Sequence, residues 1–597
     1  MRPGQIIVLA TPVFFLLIGL EFLVGRLRAR RGIGQDSYRL ADTLNSIGLG
    51  MLSQIGAVLT GLVRIGIYAA CWSAFALFPA EDFWMSWYGW LLALVFYDFC
   101  YYWLHRMGHE CAGLWAAHVV HHQSQHYNLS TALRQTSSGF LFDWIFYLPM
   151  ALAGVPPLVF GVVALIDLLY QFWVHTEQVG KLGWFDRWFC SPSNHRVHHA
   201  VNDRYVDRNY GGVLIIWDRL FGSFQEEDER CVYGTRKPLD SWDPLWANLE
   251  VYWSLARDSW RTRRWSDKLR VWLKPPGWRP ADLAAADPQP AFDIAKLRRY
   301  EPEASPAAQL FAGLQFLVLL GGATAYLWFA DLLSLPTSLV WLLVLSTGLW
   351  TTGAVLQGRL TIGEALFIDA AALATASGAL SLAPLHFVCK PLALLIGIAL
   401  AARRWRTPAA TGRFGLLLLA GLAASLAGDV FLMWPQFFVP GLASFLVAHL
   451  FYIALFVQGV GFFPRRTALA CTLGIGVAMY GFLWWGGLPA GLRVPVALYV
   501  LVIACMAAQA LGRAAVLGDR SSRLVALGAS CFMLSDALLA TNRFVTPLPL
   551  ASLWVLATYY LAQWLILRYS DKPAVADAPS GARVAAGQAP NKSLLSR

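Results

Sequence analysis

The stretch HRMGHECAGLWAAHVVHH, residues 105–122, places five histidines within eighteen positions. Imidazoles three or four residues apart share one face of an α-helix. HRMGH (His105, His109) and HVVHH (His118, His121, His122) therefore each read as a helical turn aiming its rings at a common point. A third box, HRVHH (His195, His198, His199), repeats the pattern, and His175 stands alone in QFWVHTE. Nine imidazoles exceed the four ligands of a structural zinc ion, so two metal ions are the natural count. Imidazole suits iron, zinc and copper alike, which leaves the metal open on ligand type. A structural zinc site is the competing reading. His126, His386 and His449 fall outside the boxes and read as interfacial or core histidines. Asp98, seven residues before His105, shares its helical face and is expected to accept an imidazole N–H.

The chain around these boxes belongs to a membrane. Of 597 residues, 57% are hydrophobic and only 14% charged, far from soluble usage. Apolar stretches of spanning length recur, among them 6–24, 87–104, 310–329, 414–433, 442–462, 494–510 and 551–567, giving roughly a dozen spans. The first is followed by RLRARR without a small-residue cleavage site and reads as a retained anchor. The net charge of +11 would suit nucleic acid, but the basic residues cluster beside spans, at 26–31, 261–264 and 296–299, as they do on the cytoplasmic side of membranes. No nucleic-acid partner is expected. If residues 45–79 make one crossing and 87–104 return, the histidine boxes open toward the cytoplasm. Nine cysteines without a C-x-x-C pair indicate neither a disulfide framework nor a zinc ribbon. Residues 571–597, rich in Ala, Pro, Gly and Ser, read as a disordered tail.

The second half carries a different signal. Asp429 in AGLAASLAGDVFLM and Asp536 in GASCFMLSDALLATNRF lie inside otherwise apolar spans, where an ionisable side chain is expensive and points to function. Lys390, His449, Asn542 and Arg543 are candidate partners. The competing reading is a buried ion pair that fixes helix packing. Desolvation can push two neighbouring carboxyl groups apart in acidity, leaving one protonated and one ionised, the pair that acid–base chemistry uses.

WLHRMGH, LWAAHVVHHQSQHYNLSTALRQ, LLYQFWVHTE and PSNHRVHHAVNDRYVDRNYGGVLIIWDRLFGSF together resemble the fatty acid hydroxylase and sterol desaturase superfamily. HYNLSTALRQ, LLYQFWVHTE and NYGGVLIIWDRLFG are most similar to its alkylglycerol monooxygenase branch. The resemblance implies a membrane oxygenase with two non-haem irons. Its ligand positions match His105, His109, His118, His121, His122, His175, His195, His198 and His199; Asn194 stands where some relatives carry another histidine. It also implies an external reductant, which in that branch is tetrahydrobiopterin. Residues 385–570 resemble the lysoplasmalogenase family of eight-span hydrolases, whose paired aspartates match Asp429 and Asp536.

The expected fold class is therefore all-α and polytopic: a histidine-rich di-metal helical domain over 1–384, followed by an eight-span-type helical membrane domain over 385–570. The expected function is oxidation of a lipid alkyl chain, ether-lipid cleavage in particular, fused to vinyl ether hydrolysis, both releasing a fatty aldehyde. The lipid would arrive from the bilayer along the apolar hairpin between Phe140 and Val174. A lid with Tyr205, Asn209, Tyr210, Trp217 and Asp218 would close the site. The alternatives are a sterol, carotenoid or fatty-acid hydroxylase or desaturase with an accessory membrane domain, and a metal-binding scaffold without activity, since the boxes constrain the oxidant and leave the substrate open.

Overall fold

The computed structural model describes residues 3–405 and 412–570; the expected tail at 571–597 lies outside them. Among the described residues every extended element is a helix, and β-pairing is confined to two isolated bridges, Phe189 with Leu214 and Ala200 with Tyr233. Eleven helices are long and apolar enough to cross a membrane, and the chain is a multi-pass integral membrane protein. Two expected spans, 87–104 and 551–567, form helices Trp87–Glu110 and Ala551–Tyr569 outside those eleven. The first carries Asp98 and the basic turn of the first box. The second is rich in Trp and Tyr, which sit at membrane interfaces as readily as in the apolar layer.

The described chain divides into two compact units at 386/387. In the first, residues expected to make one crossing form a single unbroken helix, Leu40–Phe75. At 1.5 Å per residue its 36 residues reach about 54 Å, well beyond the ~30 Å apolar layer of a bilayer. The hairpin reads as re-entrant: Asp143–Ala153 and Pro157–Trp173 are 11 and 17 residues long, short of a full crossing. Its turn is pinned by the long helix, where Tyr68 donates to the Val155 carbonyl and Trp72 to that of Gly154. Both interactions satisfy backbone carbonyls that lipid could not.

Two short helices carry six of the nine box histidines. Ala112–His122 follows directly on Trp87–Glu110, and Pro192–His199 starts from Ser191, whose Oγ accepts the Asn194 N–H, with proline at the first helical position. Every residue of Pro192–His199 is buried.

The second unit contains seven long helices among the described residues, from Ala383–Trp405 to Ala551–Tyr569. Arg413–Phe431 and Phe438–Val457 approach closely because glycine faces an aromatic ring. A Cβ on Gly428 would lie 2.6 Å from the Phe445 ring, so a larger residue there would push the helix bearing Asp429 away.

Candidate functional site

The nine box histidines collect into two groups. His105, His109, His118, His122 and His198 form one; His121, His175, His195 and His199 form the other. Within each group the potential ligand atoms all lie within 4.8 Å of one another. The expectation that each box converges on a single point is corrected here. In HVVHH, His118 and His122 join the first group and His121 the second; in HRVHH, His198 joins the first and His195 and His199 the second. The reason is helical geometry: residues four apart superpose, whereas adjacent residues diverge by about 100°. Each adjacent pair, 121/122 and 198/199, thus serves both groups. The groups abut where the His122 and His199 rings stack at 4.3 Å.

The nitrogen chemistry fits metal ions. Nδ1 of His105, His121, His175 and His198 lies 2.8–3.0 Å from the carbonyls of Tyr210, Arg134, Gln171 and Arg208 respectively. A carbonyl only accepts, so Nδ1 carries the proton and Nε2 keeps its lone pair. Yet Nε2 of His121 faces Nε2 of His175 at 3.1 Å, lone pair to lone pair. Nε2 of His105, His109 and His198 and Nδ1 of His195 are buried without a hydrogen-bond partner among the described residues. Each such atom costs about 1–3 kcal/mol unless something satisfies it; a cation in the first group would satisfy Nε2 of His105, His109 and His198 together, while His195 turns its Nε2, not its Nδ1, toward His175 and His199 of the second group. Burial, reinforced by neighbouring imidazoles, holds His118, His122, His195, His198 and His199 well below the ordinary histidine range. Burial likewise lowers His121 to about 4. All six are neutral bases at physiological pH, the form that ligates metal.

The remaining expectations divide. Asp98 does not accept an imidazole proton. Its carboxylate accepts the N–H groups of Val213 and Leu214 and the Trp217 indole, because the 210–217 turn packs over that face of the helix. The turn passes closest at Gly212, where a Cβ would lie 3.0 Å from carboxylate oxygens of both Asp98 and Asp167. Asn209, Tyr210 and Asp218 are scaffold rather than lid: all three are buried, and Asp218 accepts the N–H groups of Tyr210 and Gly211. Asn194 points away from both groups and donates to the carbonyls of Asp186 and Phe189. His126 stays outside, 3.0 Å from Glu301.

Because Asp218 holds the residue whose carbonyl orients His105, Asp218→Asn is expected to weaken metal binding about tenfold, the low end for an outer hydrogen-bond partner. A chelator competition titration measures this directly, and unchanged affinity would remove Asp218 from the support of the site.

Other supports escaped the sequence reading. Buried Arg134 donates to the Val120 carbonyl, to Asn45 and to Gln123, which positions the carbonyl that orients His121. Glu21, within the first apolar helix, accepts from Tyr38, Thr176 and the Leu129 N–H. An acid inside an apolar run was the available signal for Glu21.

A cavity of about 360 Å³ adjoins His105, His118, His121 and His175. The hairpin lines part of it, with Leu168 and Phe172, but Phe14, Met51, Leu320 and Leu327 from three spanning helices line the rest. The expected route through the hairpin alone is thus enlarged to a pocket shared among spans.

In the second unit Asp429 is buried, accepts from the Tyr559 hydroxyl at 2.6 Å and lies 3.6 Å from Lys390 Nζ. Asp536 accepts from Tyr499 and lies 3.6 Å from His449 Nε2. Of the expected partners, Lys390 and His449 are in place. Asn542 instead accepts the Leu548 N–H, and Arg543 covers the Phe438 ring. Tyr499 and Tyr559 carried no signal, because tyrosine in an apolar span reads as packing.

The fatty acid hydroxylase family model matches residues 90–223, the stretch that carries all nine clustered histidines beside the cavity. The YhhN family model matches residues 385–569. The chain is 39% identical to alkylglycerol monooxygenase of Danio rerio over 52% of this chain and 68% of that one. To the Xenopus tropicalis enzyme it is 36% identical, over 55% and 72%. To lysoplasmalogenase TMEM86B of Sus scrofa it is 37% identical, over 28% and 68%. The chain therefore belongs to the alkylglycerol monooxygenase family through its first part and to the lysoplasmalogenase family through its second. It spans about two thirds of the length of these curated relatives. No solved structure matches it.

Proposed function

We propose that the first unit is a di-iron monooxygenase acting on alkylglycerol ether lipids and that the second hydrolyses the vinyl ether of lysoplasmalogens. The observation that carries the first reading is the division of nine histidines into groups of five and four beside an apolar cavity. When bound, iron supplies the redox chemistry that an unactivated C–H requires and zinc lacks. The residues of the chain do the rest. The cavity holds the alkyl chain with its ether end toward His105 and His175, while the backbone carbonyls orient the ligands. Substitution of hydroxyl for hydrogen on the carbon next to the ether oxygen consumes O₂, two electrons and two protons and releases water. The hemiacetal product collapses to a fatty aldehyde and glycerol. The electrons come from an external reductant, for which tetrahydrobiopterin is our candidate.

Vinyl ether hydrolysis also yields an aldehyde, so the two activities converge on one product class. Lipid mass spectrometry of membranes with and without the protein, supplied with alkylglycerols, lysoplasmalogens and sterols, tests the reading. Loss of the first two with aldehyde formation is expected, and turnover of sterols alone would replace it.

The histidine centre is proposed to face the cytoplasm, because the basic clusters at 26–31, 261–264 and 296–299 flank the histidine-bearing zone. Single cysteines placed at the exposed positions Asp203 and Asp228 are expected to resist an impermeant thiol reagent in intact cells and to react after lysis. Reaction before lysis would invert the topology.

A further inference from the structure

A cavity of about 230 Å³ lies within the second unit among helices 438–457, 466–485, 493–517 and 520–544. Its wall is apolar, including Phe445, Met479 and Leu483, and among the described residues lining it Asp536 is the one carboxyl group. Such a pocket accepts a hydrocarbon chain and presents it to a single acid.

The hydrogen bonds behind that acid run in one direction. Tyr499, which also lines the cavity, donates its hydroxyl proton to Asp536 Oδ2 at 2.5 Å. A phenol has one proton to give, so the contact between Tyr499 Oη and His449 Nε2, at 2.9 Å, is made with the imidazole as donor. His449 is fully buried, its ring 4.7 Å from that of Phe532, and its Nδ1 has no partner among the described residues. The chain His449 Nε2–H to Tyr499 Oη–H to Asp536 Oδ2 leaves Oδ1 as the oxygen able to carry a proton. Asp429 differs on every count: it is absent from the cavity wall, accepts from Tyr559 and stands beside the Lys390 ammonium.

We propose that Asp536 is the general acid toward a long-chain vinyl ether held in this cavity and that Tyr499 and His449 are its positioning residues. The assignment rests on the vinyl ether reading of this unit and separates two aspartates that composition makes equivalent. In the first step the C=C electron pair takes the proton from Asp536 Oδ1, forming a C–H bond on the carbon remote from oxygen and an oxocarbenium ion. Water then bonds the carbon next to the ether oxygen and passes a proton to the Asp536 carboxylate. As the hemiacetal C–O bond breaks, the leaving oxygen takes that proton and the hemiacetal hydroxyl returns one to Asp536. Aldehyde and alcohol leave, the carboxyl group is restored, and no oxidant is required. During the first step the hydrogen-bond chain stabilises the charge that appears on Asp536.

The test uses the full chain in lipid nanodiscs under argon, which silences oxygen-dependent turnover. Tyr499→Phe keeps the ring and removes the donor. It is expected to lower kcat for a lysoplasmalogen by about tenfold to a hundredfold, the range for a lost hydrogen bond to a charged group, with KM unchanged. His449→Leu should lower kcat similarly, whereas His449→Gln, whose amide N–H can still donate to Tyr499, should recover most of it. Binding of the saturated 1-alkyl analogue is expected to be equal in all variants. Full kcat in Tyr499→Phe and His449→Leu overturns the proposal. So does an equal loss of kcat and analogue binding with no recovery by glutamine, which marks a packing role. A wild-type chain inactive on lysoplasmalogen instead overturns the reading of the unit itself.

Discussion

Replacing His121 or His198 by alanine is expected to remove metal and oxygen-dependent turnover together. The two residues belong to different groups, His198 to the five and His121 to the four. Each loss is local in origin and shared in effect, because the groups meet across His122 and His199. Purified wild-type protein should contain two irons per chain, and either variant should fall to one or fewer. Turnover of alkylglycerol should drop by at least ~10³-fold, since the chemical step depends on the whole constellation rather than on one ligand. Elemental analysis and O₂ uptake on the same samples check this. A variant that keeps both irons and full uptake would sink the di-iron assignment. The fold should survive, because His121 sits at the end of an 11-residue helix and its Arg134 partner stays anchored through three other contacts.

The second large effect separates the two units. Asp429→Asn and Asp536→Asn should each reduce lysoplasmalogen hydrolysis by at least about 10²-fold, the lower range for removal of a positioned acid or base. Alkylglycerol-dependent O₂ uptake should be untouched. Iron chelation should do the reverse, since two carboxyl groups and water suffice for the hydrolysis. Asparagine preserves size and one acceptor, so Tyr559 and Tyr499 retain a partner and gross unfolding is not expected. If chelation stops both activities equally, the model of two independent sites is wrong.

The two sites differ in how far the residues alone revealed them. The nine metal candidates were legible because ionisable rings spaced i, i+3 and i+4 in an apolar chain are costly to bury together unless a metal ion takes their lone pairs. Asp429 and Asp536 were legible for a related reason, the cost of a carboxyl group inside a span. Their hydrogen-bond partners were not. Tyr499 and Tyr559 are ordinary residues of apolar helices until a second helix brings a carboxylate to the hydroxyl. Asp98 shows the opposite error: helical phase placed it on the His105 face, and the 210–217 turn, 112 or more residues further along the chain, claimed its oxygens first.

By itself, the sequence determined that this is a helical membrane protein, which histidines gather, and which acids lie at depth. Those properties follow from hydropathy and from the 3.6-residue period, both local to the chain. Only the tertiary structure decided that each H-x-x-H-H box is divided between two groups. It likewise decided that the cavity is shared by the hairpin and three spans, and that one aspartate faces an apolar pocket while the other faces a lysine. These depend on how helices distant in sequence are packed. A single helix specifies the angle between its own side chains but not what its neighbours place opposite them.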